Sequence, residues 1–410
     1  MAADRNGLVI VGGGLASARA IKAYREAGGE ARITLISRDT MLPYHRPPLS
    51  KRYLRGETTA GDALVESEAF YRDNDVDVQL ETTVEALDVA ERKLRLHGGT
   101  ERAFGQLLIA TGASPRTLDV PGSTLEGIFA LRRLDDSTRI RAAAEKARHA
   151  VVVGAGFIGM EVAASLSQMG VEVTLVHRGE GLFEILRARP LTVFLSELYG
   201  RKGVQLLLGD EVAAFGGRSR IDAVETKRDR TAQAELAVVG VGVEPGTAWL
   251  EGSGLRLDDG IVVNERFETG VEGIWAAGDV ARFYDPLFEK HRRIEHWSNA
   301  NYAGAEAGKL MAGGEGGFDI VSTFFTEVFG ITIKLFGDVD EFDEVVFRGA
   351  IDRSAIGFYL RGDRLVACLV LDQDEETENR LKELLKARAT VRDPERLGSE
   401  SVGLDELFSV

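Results

Sequence analysis

Short apolar runs that end in glycine recur along this chain. Leu8-Val9-Ile10-Val11 has no polar position. A strand with one wet face would alternate, so this run reads as a strand buried on both faces of a parallel sheet. It passes into Gly12-Gly13-Gly14-Leu15-Ala16-Ser17, and a helical pattern continues to about Ala27. Ile33-Thr34-Leu35-Ile36 is the next strand. Strand, glycine turn, helix, strand is the order of a dinucleotide-binding βαβ unit, whose helix N-terminus offers free N–H groups to a pyrophosphate. Gly12 and Gly14 take the first two glycine places, and Ser17 stands where a third glycine ordinarily lets helix and strand approach. An ordinary glycine turn is the alternative for this run taken alone.

The pattern recurs in complete form. Ala150-Val151-Val152-Val153 leads into Gly154-Ala155-Gly156-Phe157-Ile158-Gly159, a helix is expected to about Met169, Gly170 stops it, and Val173-Thr174-Leu175-Val176 follows. Two units predict two similar dinucleotide-binding domains. Between them Leu107-Leu108-Ile109-Ala110-Thr111-Gly112 is a strand ending in small residues, and Pro115 and Pro121-Gly122 mark a crossing between domains. The second unit is expected to end near Ala237–Gly242. Gly273–Gly278 is another buried strand, with Asp279 just past its end, and residues 298–311 read as a helix.

From about Ser322 the period changes. Alternating runs at 343–348, 356–360 and 364–370, with a turn at Arg361-Gly362-Asp363, precede a charged helix over about 374–388. These predict a small C-terminal α+β domain. The fold class is therefore α/β, with two Rossmann-like domains and this smaller one.

Composition narrows the chemistry. At 410 residues, several domains are expected. The formal charge of -15 argues against a nucleic-acid partner. No run of 18 apolar residues predicts a membrane span. Met1–Arg5 lacks an apolar signal segment, so a cytoplasmic location is expected. Cys368 is the only cysteine, which excludes a redox-active dithiol and leaves no ligand set for an iron–sulfur cluster. No metal site is expected.

The ordered motifs resemble the FAD-dependent NAD(P)H:ferredoxin reductases that serve oxygenases and cytochromes P450, relatives of the apoptosis-inducing-factor flavoproteins. The resemblance rests on the first glycine run, Pro43-Tyr44-His45-Arg46-Pro47-Pro48-Leu49-Ser50-Lys51, Ala110-Thr111-Gly112, Gly154–Glu161, Ala277-Gly278-Asp279, Arg293-Ile294-Glu295-His296-Trp297 and the Phe-rich stretch at 324–330. It implies a glutathione-reductase-like architecture. The FAD-binding part would cover 1–115 and 241–320, the NAD(P)-binding part 116–240, and the C-terminal domain 321–410.

It also implies roles. Lys51 and Glu161 match the charged pair on the flavin N5 side, the alternatives being a solvated turn lysine and a helix-surface glutamate. Gly12, Gly14, Leu15 and Ala16 would meet the FAD pyrophosphate, and Ser37-Arg38-Asp39 stands where an acid is frequent for its ribose, Ser37 or Asp39 being the substitutes. Arg46 and Pro47 belong to the first flavin loop, where the prolines stiffen the chain whether or not they touch FAD. Ala110, Thr111, Gly112, Gly242 and Gly278 supply close backbone. Asp279 would accept from the ribityl chain, or act as a turn residue. Glu295, His296 and Trp297 match the pyrimidine end, with a core role for Trp297 as the alternative. Gly154, Gly156, Phe157, Ile158 and Gly159 would hold the nicotinamide coenzyme. Phe325 stands where the family often has tryptophan, beside the ring or in the domain core.

Coenzyme choice falls on His177-Arg178-Gly179-Glu180. Arg178 suits a 2′-phosphate, and Glu180 a ribose hydroxyl. NADH is favoured, with NADPH the alternative. The expected activity passes hydride to FAD and single electrons to a [2Fe–2S] ferredoxin, and indirectly to an oxygenase or cytochrome P450. An NAD(P)H oxidase or quinone reductase, or a signalling flavoprotein, remains open. The partner is expected to meet a local basic patch, with two candidates: His291-Arg292-Arg293, the alternative being that these arginines hold the FAD phosphates, and Arg187 and Arg189, the alternative being a solvated surface. A monomer or homodimer is expected.

Overall fold

Each glycine turn leaves the carboxyl end of the central strand of a five-stranded parallel sheet. The computed structural model describes residues 7–410, so the Met1–Arg5 stretch read above lies outside the described residues. The first sheet has the order Ile274–Ala276, Gln106–Ile109, Leu8–Val11, Ile33–Ile36, Val76–Gln79. Every pairing in it is parallel, with Val11 opposite both Ile36 and Ile109. The second sheet has the order Gln205–Leu208, Glu172–His177, His149–Val153, Leu236–Val239, Ile128–Ala130, again all parallel. Leu8–Val11, Ile33–Ile36 and Leu236–Val239 are buried along their whole length, which is why they are unbroken apolar runs.

The helices start and stop as the glycines dictate. Leu15–Glu26 follows Gly14, and Phe157–Gln168 follows Gly156. Gly170, at φ +87°, ends the latter in the left-handed conformation that glycine adopts without a Cβ penalty. Two three-stranded antiparallel sheets, Val84–Asp88 to Glu101–Ala103 and Val212–Gly217 to Thr231–Gln233, were not expected from the sequence. Phe215 and Val224 of the second pack with Val151, Val153, Val176 and Val239 in one buried cluster.

Residues beyond 321 form an antiparallel sheet in the order Thr323–Val328, Ile331–Gly337, Arg364–Leu371, Ser354–Arg361, Glu344–Ala350, followed by the helix Glu375–Lys386. The tail returns to this sheet through Phe408–Ser409, which pairs with Thr390–Val391. Cys368 is fully buried there, and burial pushes its thiol pKa up, so the group is a packed, un-ionised one.

The chain divides into two compact units. Met1–His45, Gly61–Ser114 and Val243–Ile320 form the first, and Arg46–Ala60, Pro115–Gly242 and Val321–Val410 the second. Residues 46–60, expected with the FAD-binding part, thus group with the second unit, and so does the C-terminal sheet. Among the described residues no helix is long and apolar enough to cross a membrane.

Candidate functional site

In the first unit the turn is held open by backbone contact. Gly12 has φ +128°, and a Cβ on it would fall 2.1 Å from the Ala110 carbonyl oxygen. A Cβ on Gly13 would meet the Ser37 hydroxyl at 2.1 Å. Gly14 differs: a Cβ there would meet nothing within 4 Å, so the helix N-terminus faces open space. Leu15 and Ala16 begin the helix and are buried. The serine in the third glycine place has a physical reason, because Ser17 Oγ donates to the Gly12 carbonyl at 2.5 Å. Ser37 is buried and accepts from the Asp39 N–H, while Arg38 is exposed and donates to Ser114. Asp39 is committed to Tyr44, whose hydroxyl donates to it at 2.9 Å.

Around this turn, Thr111 Oγ1 donates to the Gly246 carbonyl at 2.9 Å, and Gly112 takes φ +66°. Gly278, at φ +78°, packs its Cα against Ala16, and a Cβ there would lie 3.2 Å from the Ala16 Cβ. Asp279 follows it and accepts at its backbone carbonyl from Arg293. His296 caps the Trp297–Met311 helix, its Nδ1 accepting from the Ser298 N–H. Glu295 pairs with Arg293, which also meets Asp259 at 3.0 Å, and Arg292 pairs with buried Asp285 at 2.9 Å. The expected basic patch at 291–293 is therefore corrected: both arginines are neutralised by carboxylates of their own unit.

Trp297 donates its indole N–H to His45 Nδ1 at 2.9 Å. Burial, then the Arg19 charge, holds the His45 pKa below its ordinary 6.5, against a smaller opposing effect of Glu66. The unfolded chain then takes up this proton at a higher pH than the folded one. The stability involved is fully present above about pH 6.5 and is lost as pH falls through the lower folded value. Unfolding midpoints measured from pH 7.5 to 5 should fall in this window, and His45→Gln, whose amide oxygen can still accept from Trp297, should flatten the step. An unchanged slope in the variant would refute the assignment.

The second unit repeats the turn with all three glycines. Gly154 has φ +106°, with a prospective Cβ 2.2 Å from the Gly240 carbonyl. Gly156 again faces open space, and a Cβ on Gly159 would lie 2.0 Å from the Gly154 carbonyl. No side-chain hydroxyl takes the place of this third glycine. Phe157 sets its ring edge-on to Phe183 at 4.7 Å and stacked with Phe324 at 6.5 Å, while Ile158 is 39% exposed. At the end of the next strand His177 lies 3.9 Å from Glu184, Arg178 is exposed, and the Glu180 carboxylate sits against Gly209. Gly242 takes φ +104° beside Arg116. Phe325 lies on the strand Thr323–Val328, opposite Lys334.

Lys51 and Glu161 meet in this same unit. Pro47–Ser50 forms a 3-10 turn with Arg46 at its start, and the Arg46 guanidinium donates to the Arg132 carbonyl. The turn delivers Lys51 Nζ to Glu161 Oε1 at 2.6 Å, with the two side chains only 13% and 6% exposed. Glu161 lies on the Phe157–Gln168 helix, one turn from the open N-terminus. It is not a helix-surface residue, and Lys51 is not a solvated one. Two partners that the sequence did not single out join them: Ser50 Oγ donates to Glu161 Oε2, and Thr326 Oγ1 to Oε1 at 2.7 Å.

A family model described as pyridine nucleotide-disulphide oxidoreductase matches residues 6–304, and one described as reductase C-terminal matches 323–408. Putidaredoxin reductase of Pseudomonas putida is 31% identical over 98% of this chain and 96% of its own length. The ferredoxin reductase component of chlorobenzene dioxygenase from Cupriavidus sp. (strain PS12) is 33% identical over 98% and 97%. A crystal structure of the covalent putidaredoxin reductase–putidaredoxin complex superposes with a TM-score of 0.93, at 31% identity, covering 98% of each chain. The chain belongs to the FAD-dependent ferredoxin reductase family.

Membership of this family makes FAD the cofactor, and the residues present fit it. Both turns leave a helix N-terminus free of protein atoms where a Cβ would otherwise point, which is the cradle a pyrophosphate needs. The lone buried cysteine places this member outside the dithiol chemistry that the broader family's description names. Among the described residues no three His, Cys, Asp or Glu side chains gather as a metal site. Sequence reasoning missed Ser50, Thr326, Glu184 and the His45 acceptor of Trp297. Ser50 lay within a motif already noted, and its neighbour Lys51 was the available signal.

Proposed function

We propose that the chain is an NADH-preferring, FAD-dependent ferredoxin reductase of glutathione-reductase-like architecture, delivering electrons to a [2Fe–2S] ferredoxin that serves an oxygenase or cytochrome P450. The observation that carries this reading is the buried ion pair between Lys51, at the end of the Pro47–Ser50 turn, and Glu161, on the helix that leaves the complete glycine turn. The printed roles of the relatives, reductase components of dioxygenase and putidaredoxin systems, support the partner.

Gly12, Gly14, Leu15 and Ala16 would hold the FAD pyrophosphate, with Ser37 and Arg38 toward its ribose, and Ala110, Thr111, Gly112, Gly278 and Asp279 along the ribityl side. Glu295, His296 and Trp297 would border the pyrimidine end, the tryptophan oriented by His45. Bound FAD supplies the exchange between a two-electron donor and a one-electron acceptor. Gly154, Gly156 and Gly159 would set the coenzyme pyrophosphate on the helix N-terminus, and Phe157 would wall its path. Lys51 would present its ammonium at the flavin edge, held by Glu161, and positioning more than proton transfer governs the rate of such a step. Arg46, Pro47, Gly242 and Phe325 would complete the surrounding wall. For the ribose we favour Glu180 and Glu184, with exposed Arg178 dispensable.

Anaerobic stopped-flow reduction, followed as flavin bleaching near 450 nm, tests this. NADH is expected to bleach the FAD-loaded protein about ten-fold faster than NADPH, with Arg178→Ala leaving the NADH rate unchanged. Reoxidation should then match reduction of an added [2Fe–2S] ferredoxin. Faster bleaching by NADPH, lost in Arg178→Ala, would overturn the coenzyme choice. Rapid bleaching with fast oxygen consumption and no ferredoxin reduction would replace the reductase by an oxidase. No bleaching by either coenzyme would remove the hydride-transfer reading.

A further inference from the structure

The carboxylate of Glu161 is held by more than its salt bridge. Ser50 Oγ donates to Oε2, whereas Thr326 Oγ1, at 2.7 Å, shares Oε1 with Lys51 Nζ, at 2.6 Å. Ser50 and Thr326 are each 1% exposed, so their hydroxyls have no water to turn to. The segment bearing Ser50 is itself fastened. Its backbone carbonyl accepts from Ser165 Oγ at 2.7 Å, one turn along the helix from Glu161, and the Leu49 carbonyl accepts from Ser137 Oγ at 2.7 Å. Three pieces of chain far apart in sequence thus converge on one carboxylate: the Pro47–Ser50 turn, the Phe157–Gln168 helix and the Thr323–Val328 strand.

A glutamate carboxylate turns readily about its last torsion, and a lysine ammonium rides on a flexible four-carbon stem. A single ion pair leaves both motions free. Donors on both carboxylate oxygens fix the plane, and the shared Oε1 then fixes where the ammonium sits. We propose that Ser50 and Thr326 are positioning residues of the reductase, orienting the Glu161 carboxylate and through it Lys51. This inference rests on the reading of Lys51 as a flavin-edge residue. It assigns the strand Thr323–Val328 a part in hydride transfer through a hydroxyl, beyond any aromatic contact of Phe325.

The test compares Thr326→Val, Ser50→Ala, Thr326→Ser and Lys51→Met, all FAD-loaded, by anaerobic stopped-flow across NADH concentrations. FAD content and thermal midpoint serve as checks on folding. Thr326→Val and Ser50→Ala are each expected to lower the limiting rate of flavin reduction about ten-fold, with little change in the half-saturating NADH concentration. Thr326→Ser, which keeps the hydroxyl, should return the rate to within about two-fold of wild type. If Lys51→Met slows reduction while FAD-replete Thr326→Val and Ser50→Ala react at the wild-type rate, the positioning role is wrong and the reading of Lys51 stands. A slow Thr326→Val that Thr326→Ser does not rescue also overturns the inference, since a packing role alone would behave so. If Lys51→Met itself reacts at the wild-type rate, the reading of Lys51 falls and the positioning role with it.

Discussion

Replacing Lys51 by methionine should lower the unfolding free energy by about 3–5 kcal/mol, the range for breaking a buried pair from one side. The magnitude follows from what remains. Glu161 is 6% exposed and would be left with only the two hydroxyls of Ser50 and Thr326 as partners. Methionine fills the space of the lysine stem, so the loss reports on charge and not on a cavity. Lys51→Met combined with Glu161→Gln removes both charges and keeps a hydrogen-bonding amide. The double variant should therefore recover most of the loss, to within about 1–2 kcal/mol of wild type. Denaturant unfolding of the FAD-free proteins, with the slope checked for constancy, measures both. A double variant as unstable as the sum of its single variants would show that the two charges do not depend on one another.

Alanine at Gly304 is expected to destabilise, although the helical scale says the opposite. Within a helix, Gly→Ala favours folding by about 0.8–1 kcal/mol. In the Trp297–Met311 helix, however, a Cβ on Gly304 would lie 2.3 Å from the Ala16 carbonyl oxygen, and one on Gly308 would lie 2.2 Å from that of Ala20. Helices Leu15–Glu26 and Trp297–Met311 touch backbone to backbone, so a methyl group must push them apart. Overpacking of this kind costs about 1–3 kcal/mol, and rigid backbone on both sides argues for the upper end. The helix displaced is the one that starts at Gly14, so weakened FAD retention should accompany the loss. Gly200→Ala is the control. That glycine lies in the last turn of the helix Arg189–Arg201 with nothing within 4 Å of a prospective Cβ, and its replacement should gain up to about 1 kcal/mol. Thermal midpoints and the flavin-to-protein absorbance ratio after purification decide the matter. A Gly304→Ala protein as stable and as yellow as wild type would refute the packing argument.

What the sequence made legible follows from where each signal lives. Leu8–Val11, Ile33–Ile36 and Leu236–Val239 were readable because burial on both faces removes polar residues from a strand altogether. The glycine turns were readable because only glycine fits at Gly12 and Gly154, where the backbone has positive φ and touches another carbonyl. Strands such as Val84–Asp88 and Thr231–Gln233 were not, since their short half-exposed runs look like polar loop. The site was legible in its charges and opaque in its hydroxyls. Lys51 and Glu161 stood out within motifs, whereas Thr326 is one threonine among many until the fold brings it 2.7 Å from a carboxylate 165 residues away in the chain. The arginines at 292 and 293 misled for the same reason. Their neutralising carboxylates come from elsewhere: Asp285 from the strand paired with that of Arg292, and Asp259 from a bend 34 residues before Arg293, neither of which a local pattern announces.

The order of strands also sets the timing of assembly on the ribosome. Every strand of the second parallel sheet lies between Ile128 and Val239. The first sheet starts at Leu8 but lacks an edge until Ile274–Ala276 has been made, and the Trp297–Met311 helix that covers its glycine-turn helix comes later still. During synthesis from the N-terminus, the second sheet can therefore close while the first is still waiting for its last strand. The nascent chain must keep Leu8–Val11 and its apolar neighbours out of wrong pairings for some 160 further residues after Gln106–Ile109 emerges, a span over which chaperone protection and early flavin supply would matter most.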